Sequence, residues 1–316
     1  MIEPAKRIRR LAGIDIGTLT CRLLVADFTP EHPLKELRSE RRILRLGEGV
    51  DQTKRLNSVA MDRVIHCLHE WRRIIDSHHV EATAVVATSA VRDAGNRAEF
   101  LARVKTECGF EVELISGEEE ARRTLLGIRS GLPGGVTDIL ALDIGGGSTE
   151  FIHDRVGQKP IVRSIDIGVV RLCERLLRHD PPTDEEVRQA REWVAQETKA
   201  AVANMGDYRQ ATFVGTAGTI TALAAMAQKL PTYEPARIHN YVLKSEIIRE
   251  LEHTLLGRTR SERVELPGLE KNREEVIAAG AIIISTIMGT LDQQECLVSD
   301  LGLREGVLIN VAMTEP

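Results

Sequence analysis

Two periods of hydrophobic and polar residues share this chain. Short apolar runs bounded by turn residues predict strands: through Phe28 after a first turn, around Arg41–Leu46, and at Ala82–Ala87 and Phe110–Ile115. The same signal recurs at Asp138–Leu142, Phe151–His153, Pro160–Asp166, Ala211–Val214 and Cys296–Ser299. Between the runs the spacing becomes helical. Met61, Val64, Ile65, Leu68, Trp71, Ile74 and Ile75 recur on one helix face, and Asn57 or Ser58 is placed to cap it. Further helices are predicted over Asn96–Glu107 (stopped by Gly109), from Gly117 onward, at about 169–178 and 184–205, over Ile220–Gln228, through most of Ser245–Gly289, and over Leu303–Met313.

Strands alternating with helices in both halves predict an α/β protein of two similar lobes. The turn-rich Gly131-Leu132-Pro133-Gly134-Gly135 segment marks a break near their boundary. Within each half one local pattern repeats: an apolar strand, Asp-Ile-Gly, hydroxyl residues, and a second apolar strand. The copies are Ala12–Thr20 and Leu142–Glu150. Glycine lets backbone N–H groups approach a ligand closely, which builds an anion nest. The acid inside each turn repels a bare phosphate and makes best sense holding a cation. A duplicated nest with an acid in each copy therefore points to a polyphosphate gripped from two sides, with Mg²⁺ between, in a cleft where the paired turns face each other.

Composition narrows the partners. Aromatic residues are 3% of the chain and the formal charge is −5, which leaves neither a stacking platform nor a broad basic face for nucleic acid. The five cysteines are scattered without a CxxC pair and no secretory leader is seen, so reduced thiols and a cytoplasmic location are expected. The Ala278–Ile287 run is too short for the roughly 20 apolar residues of a membrane span. No membrane partner is expected, and a homodimer is the default for this size.

The strongest local signal is Gly145-Gly146-Gly147 followed by Ser148, Thr149 and Glu150. Three adjacent glycines weaken a strand, so packing alone explains them poorly. Gly17 and Thr18 form the weaker first nest, and Arg22 just beyond it suits bidentate phosphate contact. Gly215, Thr216 and Gly218 form a third small-residue turn before a helix, whose N–H groups suit an anion. Glu118, Glu119 and Glu120 open a helix, where the dipole favours acids, and at most one or two can face a cleft. Glu120 and Glu150 are the candidates for activating a water. The nine histidines include no pair at metal-ligand spacing.

At these residues the chain resembles the exopolyphosphatase / guanosine pentaphosphate phosphohydrolase (Ppx/GppA) family. The likeness runs nearly end to end: Asp15–Thr18 with Arg22, Ala87–Ala94, Ile115–Gly117 leading to Glu119–Arg122, Asp143–Glu150, Gly215–Thr219, Leu266–Leu269, and Ser299-Asp300 with Leu303–Gly306. It implies two actin-like lobes of ribonuclease H type (the ASKHA superfamily), one of residues 1–125 plus 303–316 and the other of 126–302. It also implies Mg²⁺-dependent hydrolysis of a terminal phosphoanhydride in inorganic polyphosphate or guanosine pentaphosphate (pppGpp). Carried over by position, Glu120 is the catalytic base. Asp143 and Glu150 match the acids at the metal and water site, and Asp15 is expected to help hold the metal through a water. Gly145, Gly146, Gly147 and Ser148 match the phosphate loop, and Arg92 and Arg273 are basic residues expected to reach the anion.

One departure stands out. Family members usually carry Asn where this chain has Leu19, which puts side-chain binding there in question. The chain also resembles the short form without a C-terminal helical domain, for which low processivity is expected. An alarmone-binding regulator of ppGpp or pppGpp with weak hydrolysis is the competing reading, and a kinase of the same superfamily is a third.

Overall fold

A computed structural model describes residues 8–29 and 34–314 of the chain. Part of the basic start, Lys6 to Arg10, lies outside the described residues. The chain divides into two compact units: residues up to Ser130 together with those from Leu303 onward, and Gly131–Gly302.

The first unit is built on a five-stranded sheet. β1 (Arg9–Ile16), β2 (Thr20–Phe28) and β3 (Lys35–Ile43) run antiparallel to one another, while β4 (Ala82–Ala87) and β5 (Val112–Leu114) lie parallel to β1, giving the order β3-β2-β1-β4-β5. The connecting helices are α1 (Val50–Thr53), α2 (Ser58–Ser77), α3 (Ser89–Asp93), α4 (Arg97–Arg103, continued by a π-turn over Val104–Cys108) and α5 (Gly117–Gly131). Asn57 caps α2, its side chain accepting from the Val59 N–H. The apolar stripe of α2, Met61, Val64, Leu68 and Trp71, packs on Ile14, Ile16, Leu23 and Val25 of the sheet.

β3 covers Lys35–Ile43, earlier than the predicted Arg41–Leu46. It is an edge strand whose charged residues hide the apolar alternation. Glu40 sits buried within it between the guanidinium groups of Arg38 and Arg42.

The second unit repeats the plan. β6 (Asp138–Ile144), β7 (Thr149–Arg155) and β8 (Ile161–Ile165) are antiparallel neighbours, and β9 (Thr212–Thr216) runs parallel to β6. β10 (Val242–Lys244) and β11 (Glu295–Val298) complete the order β10-β11-β9-β6-β7-β8. Its helices are α6 (Val169–Arg175), α7 (Asp184–Val202), α8 (Ala217–Ala227), α9 (Pro235–Ile238), α10 (Ser245–Leu256), α11 (Arg260–Arg263) and α12 (Ile277–Thr290). α12 is apolar all round because it is buried all round, with Ile282, Ile283, Ile284 and Ile287 fully covered. Among the described residues no helix is long and apolar enough to cross a membrane.

α13 (Leu303–Thr314) returns to the first unit, where Leu308 packs with Leu11, Leu24 and Ala26 on the sheet face opposite α2. Each sheet thus has three antiparallel strands followed by two parallel ones in the order 3-2-1-4-5, and the second adds β10 antiparallel at its edge. This is the actin-like, ribonuclease H-type pattern, present twice.

Candidate active site

The two repeated motifs form the two hairpin turns. In the first, the Gly17 N–H donates to the Thr20 carbonyl at 3.1 Å; in the second, the Gly145 N–H donates to the Ser148 carbonyl at 3.0 Å. Gly17 is confined by this closure, since a Cβ there would lie 2.7 Å from the Thr20 oxygen. The turns sit at the carboxyl ends of β1 and β6, where the parallel strands of each sheet also end, the usual place for a ligand in an open α/β sheet.

Around the first turn the structure gathers Asp15, Gly17, Thr18 and Arg22. Asp15 on β1 is the register partner of Arg22 on β2, and Arg22 is the partner of Arg41 on β3. Leu19 turns inward. It is 6% exposed, while its carbonyl accepts from the N–H groups of Leu44 and Arg45.

The ends of β4 and β5 join this edge through Thr88 N–H to Ile16 and Ile115 N–H to Ala87. They place Arg92 on α3 beside Glu120 on α5. The Arg92 Nη1 donates to Glu120 Oε2 at 3.2 Å and to the Ile115 carbonyl at 3.0 Å. Of the three consecutive glutamates only Glu120 is buried, whereas Glu118 and Glu119 pair with Arg122 and Arg123 along the helix. Arg92, expected on the anion, therefore has the carboxylate of the candidate base as its partner.

The second unit carries the acids. Asp143 on β6 and Glu150 on β7 are register partners, both buried, with Glu150 1% exposed. Ser164 on β8 continues the row and donates from Oγ to Glu150 Oε1 at 2.7 Å. Thr216 flanks Asp143 from β9. Two buried carboxylates side by side repel each other unless a cation or proton intervenes. Beside a glycine turn, such a pair is of the kind that Mg²⁺ takes, one or two carboxylates with water completing its shell. Among the described residues no three His, Cys, Asp or Glu side chains converge as a metal site. Asp15, the third acid expected there, belongs to the other unit.

The third turn separates into two roles. Gly215 lies within β9, and a Cβ there would meet Cys296 Sγ at 2.6 Å, so packing accounts for this glycine. Gly218 opens space for Arg273, whose guanidinium would lie 2.4 Å from a Cβ at that position. Arg273 is itself buried, with Nε donating to Glu270 at 2.9 Å. Ala217 between them has φ +68°, a strained conformation for a residue with a side chain and one that clusters at functional turns.

Sequence reasoning missed Gly168 and Arg171. Gly168 has an extended backbone, yet a Cβ there would stand 2.4 Å from the Gly146 carbonyl and the Gly147 nitrogen. Arg171 reaches the Gly147 carbonyl through Nε at 2.9 Å. The small residue before α6 was the available signal, but the approach it permits is tertiary. All five cysteines are free, and burial holds their thiols above the ordinary range, Cys296 up to about 12. None is a thiolate nucleophile at neutral pH.

Two ribonuclease H-type sheets, each with a glycine turn at its carboxyl edge, define an α/β protein of the actin-like fold class. The profile of the Ppx/GppA phosphatase family matches residues 24–315, and the chain belongs to that family. It is 35% identical to exopolyphosphatase 2 of Mycobacterium tuberculosis, over 96% of this chain and 99% of that protein. Among solved structures, the Ppx/GppA family member of Aquifex aeolicus is 35% identical with a TM-score of 0.82, covering 98% of this chain and 99% of its own. An exopolyphosphatase of Cytophaga hutchinsonii superposes with a TM-score of 0.87 at 28% identity, covering 96% and 97% of the two chains.

Proposed function

We propose that the chain is an exopolyphosphatase-type phosphohydrolase that releases the terminal phosphate of inorganic polyphosphate, with the 5′-phosphate of pppGpp as a second candidate substrate. The observation that carries this reading is the buried Asp143–Glu150 pair beside the triple-glycine turn. It offers a cation and a phosphate neighbouring places, and two of the relatives named above are exopolyphosphatases.

In the proposed reaction a water oxygen forms a bond to the terminal phosphorus while the bridging P–O bond breaks in line, and the shortened chain leaves as the anion. Glu120 takes the proton of that water. Arg92 acts on Glu120 rather than on the substrate, holding the carboxylate through Nη1. The Gly145–Ser148 amides and the Ser148 hydroxyl hold the oxygens of the transferred group, and Arg22, Thr18 and Arg273 supply further donors. Asp143 and Glu150 would hold Mg²⁺, with Asp15 assisting through water. When bound, that ion supplies charge neutralisation on the transferring group.

A phosphate-release assay comparing polyphosphate with pppGpp across a Mg²⁺ titration tests this reading. Glu120→Ala is expected to remove about 10²–10⁴ of turnover while leaving substrate binding measurable. Undiminished turnover in that variant, or no release from either substrate by the parent protein, sinks the assignment.

A further inference from the structure

The three glycines of the second turn direct their carbonyls to one side. The Val169 N–H donates to Gly145 O at 3.0 Å and the Val170 N–H to Gly146 O at 2.9 Å. The Arg171 Nε donates to Gly147 O at 2.9 Å. A trans peptide carries its N–H opposite its C=O. Pinning these carbonyls on α6 therefore sends the N–H groups of Gly146, Gly147 and Ser148 out on the other side. Among the described residues none of the three amides donates to the carbonyl of a turn or loop.

Two of these clamps are backbone amides at the start of α6, which many residue types can supply. The third is a side chain. The first turn has no such dependence: Gly47 N–H holds the Thr18 carbonyl at 2.8 Å, and Leu44 and Arg45 N–H hold that of Leu19 at 2.9 Å, all through backbone. Arg171 is 6% exposed, and its Nη2 lies 3.9 Å from exposed Asp166. Burying a guanidinium is costly, and this one is set with its Nε on the Gly147 carbonyl. Arginine adds a rigid fork and a permanent positive charge behind the peptide. Both bias the Gly147–Ser148 unit toward an anion on its N–H side.

We propose that Arg171 is a positioning residue for the Gly145–Ser148 turn, holding the Gly147–Ser148 peptide with its N–H toward a bound phosphoryl group. The proposal rests on the reading of that turn as phosphate-binding. Gly168, which lets α6 approach the turn, serves the same arrangement.

The test is calorimetric binding of tripolyphosphate to the parent chain, Arg171→Ala and Arg171→Lys, each checked for folding by circular dichroism and melting temperature. Arg171→Ala is expected to weaken binding about tenfold or more. Low-millimolar methylguanidinium should restore part of that loss while leaving the parent chain unchanged. Arg171→Lys, which keeps the charge on a single donor nitrogen without the planar fork, should bind with intermediate affinity. If the alanine variant does not fold, the lysine variant carries the comparison, and parental affinity in it overturns the proposal. So does a folded Arg171→Ala that binds like the parent, or one whose loss neither methylguanidinium nor lysine reduces. A parent chain without affinity for tripolyphosphate overturns the phosphate reading of the turn, a separate result that takes the proposal with it.

Discussion

The β1–β2 and β6–β7 hairpins are one design with two chemistries. Their turns close through the same hydrogen bond, Gly17 to Thr20 and Gly145 to Ser148. Their first strands end in the same Asp-Ile-Gly, and their sheets share the order 3-2-1-4-5. The row across each sheet then differs. In the first unit it reads Asp15, Arg22, Arg41; in the second, Asp143, Glu150, Ser164. Two positions differ, Arg41 against Ser164 and, with opposite sign, Arg22 against Glu150, so the first row is cationic and the second acidic. The duplicated fold supplies two equivalent platforms whose rows carry opposite sign.

Exchanging that sign gives the sharpest ways to break the comparison. The largest effect is expected from Glu150→Gln, which keeps the shape and the Ser164 contact but removes one of the paired charges. Phosphate release should fall about 10²–10³-fold, and the Mg²⁺ concentration needed for half-maximal rate should rise. An unchanged Mg²⁺ dependence would mean that the acidic row holds no metal. Next comes Arg22→Glu, which gives the first row the acid of the second. Here the expected change lies in KM for polyphosphate, raised about ten- to a hundredfold with a smaller change in kcat. A loss confined to kcat would move Arg22 from binding to chemistry. The smallest effect on activity is expected from Leu19→Asn, which restores the residue usual in the family. Because Leu19 faces inward, the new amide is buried, and the variant should lose about 1–3 kcal/mol of stability with turnover near the parental level. A clear gain in substrate affinity would show that the first turn can open its side chain outward.

The features legible in the sequence were those encoded locally. Apolar runs and glycine placement mark both hairpins and the strand at Ala82–Ala87, and helical spacing marks α2 with Asn57 or Ser58 as its cap, of which Asn57 is the one used. Glu120 stood out from its neighbours because a helix start offers only part of its first turn to the interior. What stayed hidden depends on contacts between distant segments. β3 begins earlier than its apolar residues suggest because Glu40, the residue buried within it, is charged. β10 is only Val242–Lys244, too short for a period to show, and it exists because β11 offers it an edge. Nothing local says that Glu120, 28 positions later, accepts a hydrogen bond from Arg92. Gly168 and Arg171 serve a turn more than twenty positions earlier, and no local pattern announces such a debt.

The return of α13 bears on the order in which the protein can be finished during synthesis. The first strands to leave the ribosome, β1 and β2, leave Leu11, Leu24 and Ala26 uncovered on one face until Leu308 arrives. Gly13 lies against that late helix, with Leu308 Cδ1 3.1 Å from where its Cβ would be. The whole second unit, Gly131–Gly302, is made in the interval and has every segment it needs before the first unit does. Domains ordinarily complete from the N-terminus onward. Here the half that is born first is the last to be sealed, and a nascent chain stalled before Leu303 would carry a finished second unit behind an open first one.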